Sequence, residues 1–459
     1  MTGALAAAWR RARTHVEALQ GDGIGAELAR GALGSFAIRV GVAGVAFGLQ
    51  LFLTRLLGAD AFGTYVYALS WITFISQAGV LGFDTASLRF VAAHQAREEW
   101  DELRGFLRRS VQVAVLLSLA LAALMAFVVW ALRARLAPEL LAPLAVASLL
   151  LPLVALLQVA VSQLQALRRV VTGQGVQGVL RPLLIAAVLG GMVLAGGARP
   201  TALTAILANA GATAVACGLG WLSLRRALPA AVHTARAVYR TRAWIATAVP
   251  LFLITAAQML LSQTDVLMLG AMRNTTDAGV YAVASQLATL ITFAIMAANT
   301  IVAPMIAALH AQGRRAELQR VLTLSARGVL AYAIPVVLVL LVAGRWILGL
   351  YGPAFVAGYL PLLVLAIGQV AIAVCGSVGF LLTMTGHEGV ATRAIGLSAL
   401  VNVVLNLALI PSLGLVGAAI ATSIATTMRS LVLTRQVHRL LGYDATAFGI
   451  PHSSTEGRA

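Results

Sequence analysis

The sequence predicts an all-α integral membrane protein with about twelve transmembrane helices, arranged as two six-helix halves. Three observations carry this prediction. Of the 459 residues, 60% are hydrophobic and only 11% are charged, whereas soluble domains carry roughly 25% charged residues. Twelve apolar segments are each long enough to cross a bilayer, and one short motif recurs 216 residues further along the chain. Because so few charges could not form a water-soluble surface for a chain of this length, lipid must be part of its solvent.

The spans follow from a window of about 20 mostly apolar residues. Residues 1–32 mix arginines with acids and lack the apolar core of a signal peptide, so we expect a cytosolic or interfacial segment there. The first half is predicted over 33–224 and the second over 244–434, with a cytosolic linker at 225–243 and a cytosolic tail at 435–459. The apolar segments lie near 33–57, 64–91, 108–131, 140–166, 178–196, 201–223, 245–272, 279–308, 322–343, 359–384, 390–410 and 413–433.

Arginine is distributed unevenly between alternate loops, and this predicts the orientation. The dense set of loops should face the cytoplasm, which places both termini on that side. The net charge of +17 therefore indicates membrane topology and not nucleic-acid binding, because the arginines sit in short connections between apolar segments. The arginines of the dense set are Arg97, Arg104, Arg108, Arg109, Arg168, Arg169, Arg225, Arg226, Arg236, Arg240, Arg242, Arg314, Arg315, Arg320, Arg435 and Arg439.

An internal repeat relates the two halves. The segment from Ala61 to Ala68 reads AFGTYVYA, and the segment from Asp277 to Ala284 reads DAGVYAVA. Both share a glycine, a tyrosine two residues later and a small residue three further on, and both follow a leucine-rich span. Six spans separate them, so the halves have the same orientation and are related by an axis along the membrane normal.

No catalytic or metal-binding apparatus is visible. The chain has no P-loop, its histidines fall in loops, helix ends or tails without metal-type spacing, and Cys217 and Cys375 lie inside apolar segments. We therefore predict a protein that is not an enzyme, with no cofactor and no metal.

Four arginines within or near the apolar segments are the first candidate functional residues. An ionised side chain at the bilayer centre costs about a few kcal/mol, so such residues usually face a protein interior or a wet cavity. In the predicted orientation all four lie in the cytoplasmic half and would form a vestibule for a phosphate or pyrophosphate, which suits guanidinium geometry. The alternative is that the three nearer the edge extend to the headgroups. The four are Arg39, about two turns inside span one, Arg89 at the end of span two, Arg181 at the start of span five, and Arg393 one turn into span eleven.

Two aspartates are candidates for coupling or gating. Asp84 lies in the last turns of span two, where a structural pair with Arg89 or Arg39 is the alternative to a proton site. Asp265 lies deep in span seven toward the external side, and a buried interhelical hydrogen bond is its alternative.

The connection from Trp346 to Tyr359 is apolar and aromatic but interrupted by Gly and Pro. We interpret it as an interfacial segment near the headgroups.

The motifs together resemble the polysaccharide flippases of the multidrug/oligosaccharidyl-lipid/polysaccharide exporter superfamily. The first match is residues 53–92, the second is residues 263–304, and a weaker third is the interfacial segment, so the resemblance covers nearly the whole chain in span order. The residues that carry it are Arg55, Phe62, Gly63, Tyr65, Leu81, Gly82, Asp84, Arg89 and Phe90, then Asp265, Ala278, Gly279, Tyr281, Ala284 and Pro304, then Leu350, Tyr351, Gly352 and Phe355.

The resemblance implies two six-helix bundles around a central cavity and transport by alternating access in the bacterial cytoplasmic membrane. The implied cargo is a polyprenyl-pyrophosphate-linked oligosaccharide for surface polysaccharide assembly, and the implied partners are membrane lipids, H+ or Na+ as coupling ion, and a polysaccharide polymerase or ligase. Twelve spans fit O-antigen-type flippases better than lipid II flippases, which usually carry fourteen. Two alternatives are an organic-cation antiporter of the same superfamily and a non-transporting component of a glycan assembly complex. The mainly basic charges of the inner half favour an anionic cargo over a cationic one.

Overall fold

The computed structural model describes residues 24–196 and 200–449, except for the side chains of 24–39, 300, 301 and 304. All regular elements in these residues are helical, which confirms the predicted all-α class. Eleven helical segments are long and apolar enough to cross a membrane. One of them, Val40–Val80, has 41 residues and covers most of predicted spans one and two, so each of the twelve predicted spans has a counterpart.

The α-helices in chain order are α1 (Ile24–Val80), α2 (Phe83–Ala96), α3 (Trp100–Ala131), α4 (Pro138–Ala166), α5 (Val170–Gly175), α6 (Arg181–Leu194), α7 (Ala202–Ala227), α8 (Ala230–Thr234), α9 (Thr241–Met272), α10 (Thr275–Thr289), α11 (Phe293–Ala311), α12 (Arg315–Tyr351), α13 (Tyr359–Cys375), α14 (Val378–Met384), α15 (Glu388–Leu413) and α16 (Leu415–Leu441). A π turn at Val176–Leu180 joins α5 to α6, and 3-10 turns at Leu290–Thr292 and Pro353–Gly358 precede α11 and α13.

Helix α1 is broken once in its interior and ends earlier than the sequence predicted. Gly58 has φ 75° and ψ 173°, which separates spans one and two. Span two then stops at Val80, because Leu81 (φ 50°) and Gly82 (φ 76°) turn the chain before α2 begins. A Cβ on Gly82 would lie 2.2 Å from the carbonyl oxygen of Ala248 in α9, so this turn needs glycine for close backbone approach. Predicting one continuous helix through residue 91 was therefore wrong.

The two predicted halves are two helical bundles. In the first bundle α4 is central and packs against α1, α3 and α7, while α6 packs against α7. In the second, α13 packs against α12 and α16, and α15 packs against α9 and α16. The bundles meet mainly where α1 contacts α9 and α10. We call the end with the dense arginine loops the arginine-rich end, and the other the arginine-poor end.

The repeat motif forms the contact between the bundles at the arginine-poor end. A Cβ on Gly279 would lie 2.7 Å from the Cα of Gly63, its counterpart in the repeat. Asp60 and Thr276, also separated by 216 residues, are joined by a hydrogen bond of 2.7 Å from the threonine hydroxyl. Corresponding residues of two halves can meet in this way only beside the axis that relates them. The repeat seen in the sequence is therefore also present in the structure. We call this contact the glycine gate.

The helices that begin the two bundles, α1 and α9, each contain a long stretch of residues that are not buried. No residue from Val40 to Phe52 of α1, and none from Val249 to Gln263 of α9, is buried, whereas Thr264 to Leu267 are. Helix α1 is therefore unburied from Phe52 to the last described side chain at the arginine-rich end, whereas the unburied stretch of α9 is interior, because Trp244 and Ala248 are buried again at that end.

The aromatic connection before α13 takes part in the contact between the bundles. Tyr351 and Phe355 are buried, and the Phe355 ring meets Phe62 edge-on at 5.8 Å between centroids. Arg55 donates to the carbonyl of Leu350 and, at 3.2 Å, to that of Gly349. Phe355 thus faces the other bundle, while Trp346 of the same segment is 68% exposed, and the interpretation as an interfacial segment stays a prediction.

Candidate functional site

Asp265 is the centre of a buried polar cluster in the second bundle. It is 4% exposed and accepts hydrogen bonds from four side chains on three other helices. Tyr281 on α10 donates at 2.6 Å. Asn406 and Asn402 on α15 donate at 2.7 and 3.2 Å, and the hydroxyl of Thr422 on α16 also donates. These partners lie up to 157 residues away in sequence, so the fold itself assembles the cluster.

The cluster has the chemistry of a proton or small-cation site. The amide of Asn402 donates to Thr422 at 2.9 Å, and that of Asn406 donates to the Asn402 oxygen at 3.1 Å. The Oδ1 of Asn406 is buried and has no hydrogen-bond partner among the described residues, although buried acceptors are normally satisfied. Carboxylate, amide and hydroxyl oxygens together can hold a hard cation, and a buried carboxylate can also carry a proton.

Arg181 is the centre of a second buried polar cluster, in the first bundle. Its Nε and Nη2 donate to Oδ1 of Asn209 on α7 at 3.1 and 2.9 Å. Asn209 is itself buried and donates to the hydroxyl of Tyr65 at 3.2 Å, and Thr213 donates to the same Asn209 oxygen at 3.2 Å. A guanidinium is thus held between helices by neutral groups, which leaves its charge uncompensated by any described carboxylate.

The two clusters occupy related positions in the repeat. Tyr65 follows Gly63 by two residues, and Tyr281 follows Gly279 by two residues. Each tyrosine hydroxyl joins the cluster of its own bundle. The first bundle therefore holds a guanidinium and the second a carboxyl group, each connected to the glycine gate by one tyrosine.

Arg181 lies deeper than the sequence predicted. The helical segment that carries it begins at Val170, not near residue 178, and runs to Leu194 through the π turn. Arg181 is therefore close to the middle of the segment instead of at its start. The glycine-rich, polar stretch before it concealed the extra turns, in which a Cβ on Gly178 would lie 2.7 Å from a methyl group of Val42 of α1.

The other predicted residues are not joined to these clusters. Arg89 on α2 and Arg393 on α15 are exposed, and Arg89 lies 5.8 Å from the ring centroid of Phe90. The side chain of Arg39 lies outside the described residues. Convergence of the four arginines on one chamber stays a prediction.

Asp84 bonds to neutral groups and links the bundles. Its carboxylate accepts from the backbone N–H of Thr85 at 2.7 Å and from the amide of Gln77 at 3.1 Å. The same Gln77 amide reaches the hydroxyl of Thr255 on α9 at 3.5 Å. The expected alternative, an ion pair with Arg89, is not formed in the described structure.

Sequence reasoning passed over two arginines inside the spans. Arg327 on α12 donates to the carbonyls of Ala447 and Gly449 at 3.0 and 3.3 Å, and so holds the segment that follows α16. Arg429 lies near the middle of α16, is half-buried, and makes no hydrogen bond or ion pair with a described residue. A search for charged residues within predicted span twelve would have identified Arg429.

The comparison with known families agrees with these features. Residues 28–310 match the family of polysaccharide biosynthesis proteins. The chain belongs to this family. The family resemblance predicted from the sequence motifs is therefore confirmed.

Two curated relatives of this polysaccharide biosynthesis protein come from Haloferax volcanii. The probable flippase AglR is 30% identical over 193 residues, which are 39% of this chain and 38% of the relative. The probable low-salt glycan biosynthesis flippase Agl15 is 25% identical over 172 residues, or 37% and 36% of the two chains. The matched region thus spans less than two fifths of each relative.

Solved structures share the fold of this polysaccharide biosynthesis protein at low sequence identity. The lipid II flippase MurJ in an inward closed conformation superposes with a TM-score of 0.70 at 15% identity, over 88% of this chain and 87% of that one. An inward-facing multidrug resistance MATE transporter gives 0.67 at 13% identity, over 85% and 92%. A transporter of the same superfamily from Pyrococcus furiosus gives 0.62 at 13% identity, over 90% and 94%. The predicted two-bundle fold is confirmed.

Proposed function

We propose that this protein is a flippase that moves a polyprenyl-pyrophosphate-linked oligosaccharide across the bacterial cytoplasmic membrane for surface polysaccharide biosynthesis. It acts as a transporter by alternating access and not as an enzyme. One observation carries the proposal. Arg181 and Arg429 lie near the middle of membrane helices, one in each bundle, and neither pairs with a described carboxylate. Because charges in a membrane interior need a counter-charge or water, an anionic cargo suits this interior better than an organic cation.

The orientation follows from the arginine-rich loops, which face the cytoplasm together with both termini. In this orientation the glycine gate closes the outer side, and the unburied stretches of α1 and α9 lie on its inner side. Because Trp244 and Ala248 of α9 pack against the first bundle at the inner end, the cargo enters from the inner leaflet on the side of α1. A Cβ placed on Gly41, Gly44 or Gly48 of α1 would have no neighbouring atom within 4 Å, so the polyprenyl chain can remain in the bilayer beside this helix.

Arg429 is positioned to hold the diphosphate. It follows Thr422 by seven residues, so it lies on nearly the same face of α16, about 10 Å nearer the cytoplasm. Thr422 points at Asp265 of α9, and the next part of α9 toward the cytoplasm is its unburied stretch. Arg429 therefore faces the level at which the bundles open. Arg39, Arg89 and Arg393 serve at the mouth of the same vestibule.

Asp265 couples transport to an ion, either H+ or Na+. An ion there would neutralise the carboxylate and recruit the unpartnered oxygen of Asn406. Asp84 acts in gating through Gln77, since that amide connects the turn after α1 to α9. A polysaccharide polymerase or ligase would take the product on the outer side.

The test is flipping of a fluorescent lipid-linked saccharide diphosphate in vesicles at matched protein content. We expect Arg181→Gln and Arg429→Gln to lower the rate at least about tenfold, since a charge-assisted hydrogen bond contributes about 1.5–3 kcal/mol, with smaller losses for Arg89→Gln and Arg393→Gln. The matched control is Arg320→Gln, which removes one exposed arginine at the same end of the molecule. Wild-type rates for both interior variants, or equal loss in the control, would refute the proposal.

A further inference from the structure

A second basic site lies outside the central space, between α3, α7 and the linker that joins the bundles. It is a chamber of about 700 Å³. Arg104 and Arg108 line it from α3, Arg225 from α7, and His233 and Tyr239 from the linker, and no acidic side chain among the described residues lines it. We call it the linker chamber.

The linker is fixed against α3 by hydrogen bonds and close backbone packing, so the shape of the chamber is defined by the fold. Arg104 donates to the carbonyl of Ala235, and the N–H of Val238 donates to the carbonyl of Asp101 at 3.1 Å. A Cβ on Gly105 would lie only 1.8 Å from the Val238 carbonyl oxygen. This close approach of the two backbones requires glycine at position 105. It fixes the position of the linker beside α3.

The two nearest carboxylates do not neutralise the chamber. Glu102 accepts from Arg240 at 3.0 Å, and Asp101 accepts from the backbone N–H of Arg236 at 2.7 Å. Neither lines the chamber. Arg108 and Arg225 are exposed and make no hydrogen bond or ion pair with a described residue, so their charges are free for a ligand.

The walls are amphiphilic and lie at the predicted edge of the bilayer. Spans three and six are predicted to end near residues 108 and 223, inside the stretches that line the chamber. On the bilayer side of the arginines the wall is formed by Val111 and Gln112 of α3 and by Trp221 of α7, and it is apolar except for Gln112. A ligand that fits must combine an anionic head with an apolar tail, and basic pockets between membrane helices on the cytoplasmic side are suited to anionic lipid headgroups.

We infer that the linker chamber binds an anionic phospholipid of the inner leaflet. The phosphate lies between Arg108 and Arg225, and an acyl chain follows the apolar wall into the bilayer. Because His233 and Tyr239 belong to the linker, the bound lipid also fastens the connection between the two bundles to the first one. This site is separate from the proposed cargo site and does not depend on it.

The test is thermal unfolding of the purified full-length protein in detergent, titrated with dioleoyl phosphatidylglycerol, dioleoyl phosphatidylcholine or inorganic phosphate. We expect a rise in Tm with phosphatidylglycerol that neither other addition reproduces. In the double variant Arg108→Gln/Arg225→Gln, the phosphatidylglycerol concentration needed for half the rise should increase by about fivefold for each arginine removed. The matched control is Arg315→Gln/Arg320→Gln, which removes two exposed arginines from another loop at the same end.

Three outcomes would overturn the inference. They are equal stabilisation by the two phospholipids, equal stabilisation by inorganic phosphate at the same concentration, and equal weakening in the two double variants. The Tm of each variant without lipid shows that it is folded, because these surface substitutions remove no described contact.

Discussion

The glycine gate offers the sharpest test of alternating access. In Gly279→Ala the new Cβ would lie 2.7 Å from the Cα of Gly63, whereas ordinary contacts between carbon atoms are about 3.5–4.0 Å. The atoms of Gly63 nearest to the new Cβ are its backbone Cα and N, which cannot rotate away as a side chain could. Helix α1 must therefore separate from α10. The substitution therefore disfavours the state in which the gate is closed.

The expected magnitude follows from the overlap. Overpacking of this kind costs about 1–3 kcal/mol, which changes the ratio of closed to open gates by roughly 5- to 150-fold. Gly63→Ala should act more strongly, since its Cβ would lie 2.1 Å from the carbonyl oxygen of Thr275. Gly396→Ala is the matched control, because it lies in helix α15 with nothing within 4 Å and gains the same helix propensity.

A reporter at the gate makes the change measurable. Thr64 is buried and lies 3.3 Å from the Thr275 hydroxyl, so Thr64→Cys in a background without Cys217 and Cys375 places a thiol between the bundles. A membrane-impermeant thiol reagent, applied from outside, should label it faster in Gly279→Ala than in the parent or in Gly396→Ala. Equal labelling of the three proteins would show that the glycine contact does not control access.

Three further predictions concern the polar contacts and the linker. Asp265→Asn keeps the side-chain shape but removes the charge, so the dependence of flipping on a H+ or Na+ gradient should disappear in vesicle assays. Arg327→Gln loses its bonds to the Ala447 and Gly449 carbonyls; it should lower stability by about 1–3 kcal/mol and speed trimming by carboxypeptidase. Gly105→Ala should displace the linker at Val238, cost about 1–3 kcal/mol, and speed proteolysis within the linker.

Two of these predictions have a matched control, and the third has a defined refuting result. Gly218→Ala in α7 has open space around the new Cβ and should leave linker proteolysis unchanged. Arg345→Gln is on the same helix as Arg327 and should not affect trimming of the C-terminal segment. A persistent ion dependence in Asp265→Asn would remove this residue from the coupling mechanism.

The span order and the repeat could be predicted from the sequence because both depend on local composition. Twenty consecutive apolar residues predict a helix in lipid, since a helix satisfies its backbone groups within a single segment. The break at Leu81 and Gly82 could not be predicted, because it depends on the close approach of Ala248, which lies far away in sequence. The burial of Phe355 against Phe62 was hidden for the same reason.

The site was predictable only in part. A buried aspartate is conspicuous in an apolar segment, and so is a buried arginine, which is why Asp265 and Arg181 were selected. Hydropathy does not show which face of a helix such a residue occupies or what it contacts. Hydropathy therefore ranked the exposed Arg393 equally with Arg181 as a candidate binding residue. It also placed Arg181 too close to the start of its helix.

We propose that Tyr281 links ion binding at Asp265 to the glycine gate. Its hydroxyl donates to Asp265 at 2.6 Å, and its backbone lies two residues from Gly279 in the gate. An ion at Asp265 competes for the same carboxylate oxygens, so it changes the contact that holds this turn of α10. Occupation of the cluster is then transmitted to the gate through one hydrogen bond, which is a differential contact of the kind that coupling requires.

Tyr281→Phe removes that hydroxyl and leaves the buried ring in place. In the parent with the Thr64→Cys reporter, labelling should change between low and high Na+, or between acidic and neutral pH, whichever ion is used. In Tyr281→Phe this response should fall by about the 5- to 150-fold coupling that is typical of allosteric sites. Tyr65→Phe is the matched control, since it loses its bond to Asn209 in the bundle without the carboxylate and should keep the response. If Tyr281→Phe responds as the parent does, ion binding reaches the gate by another route, and the cluster around Asp265 serves only to hold the second bundle together.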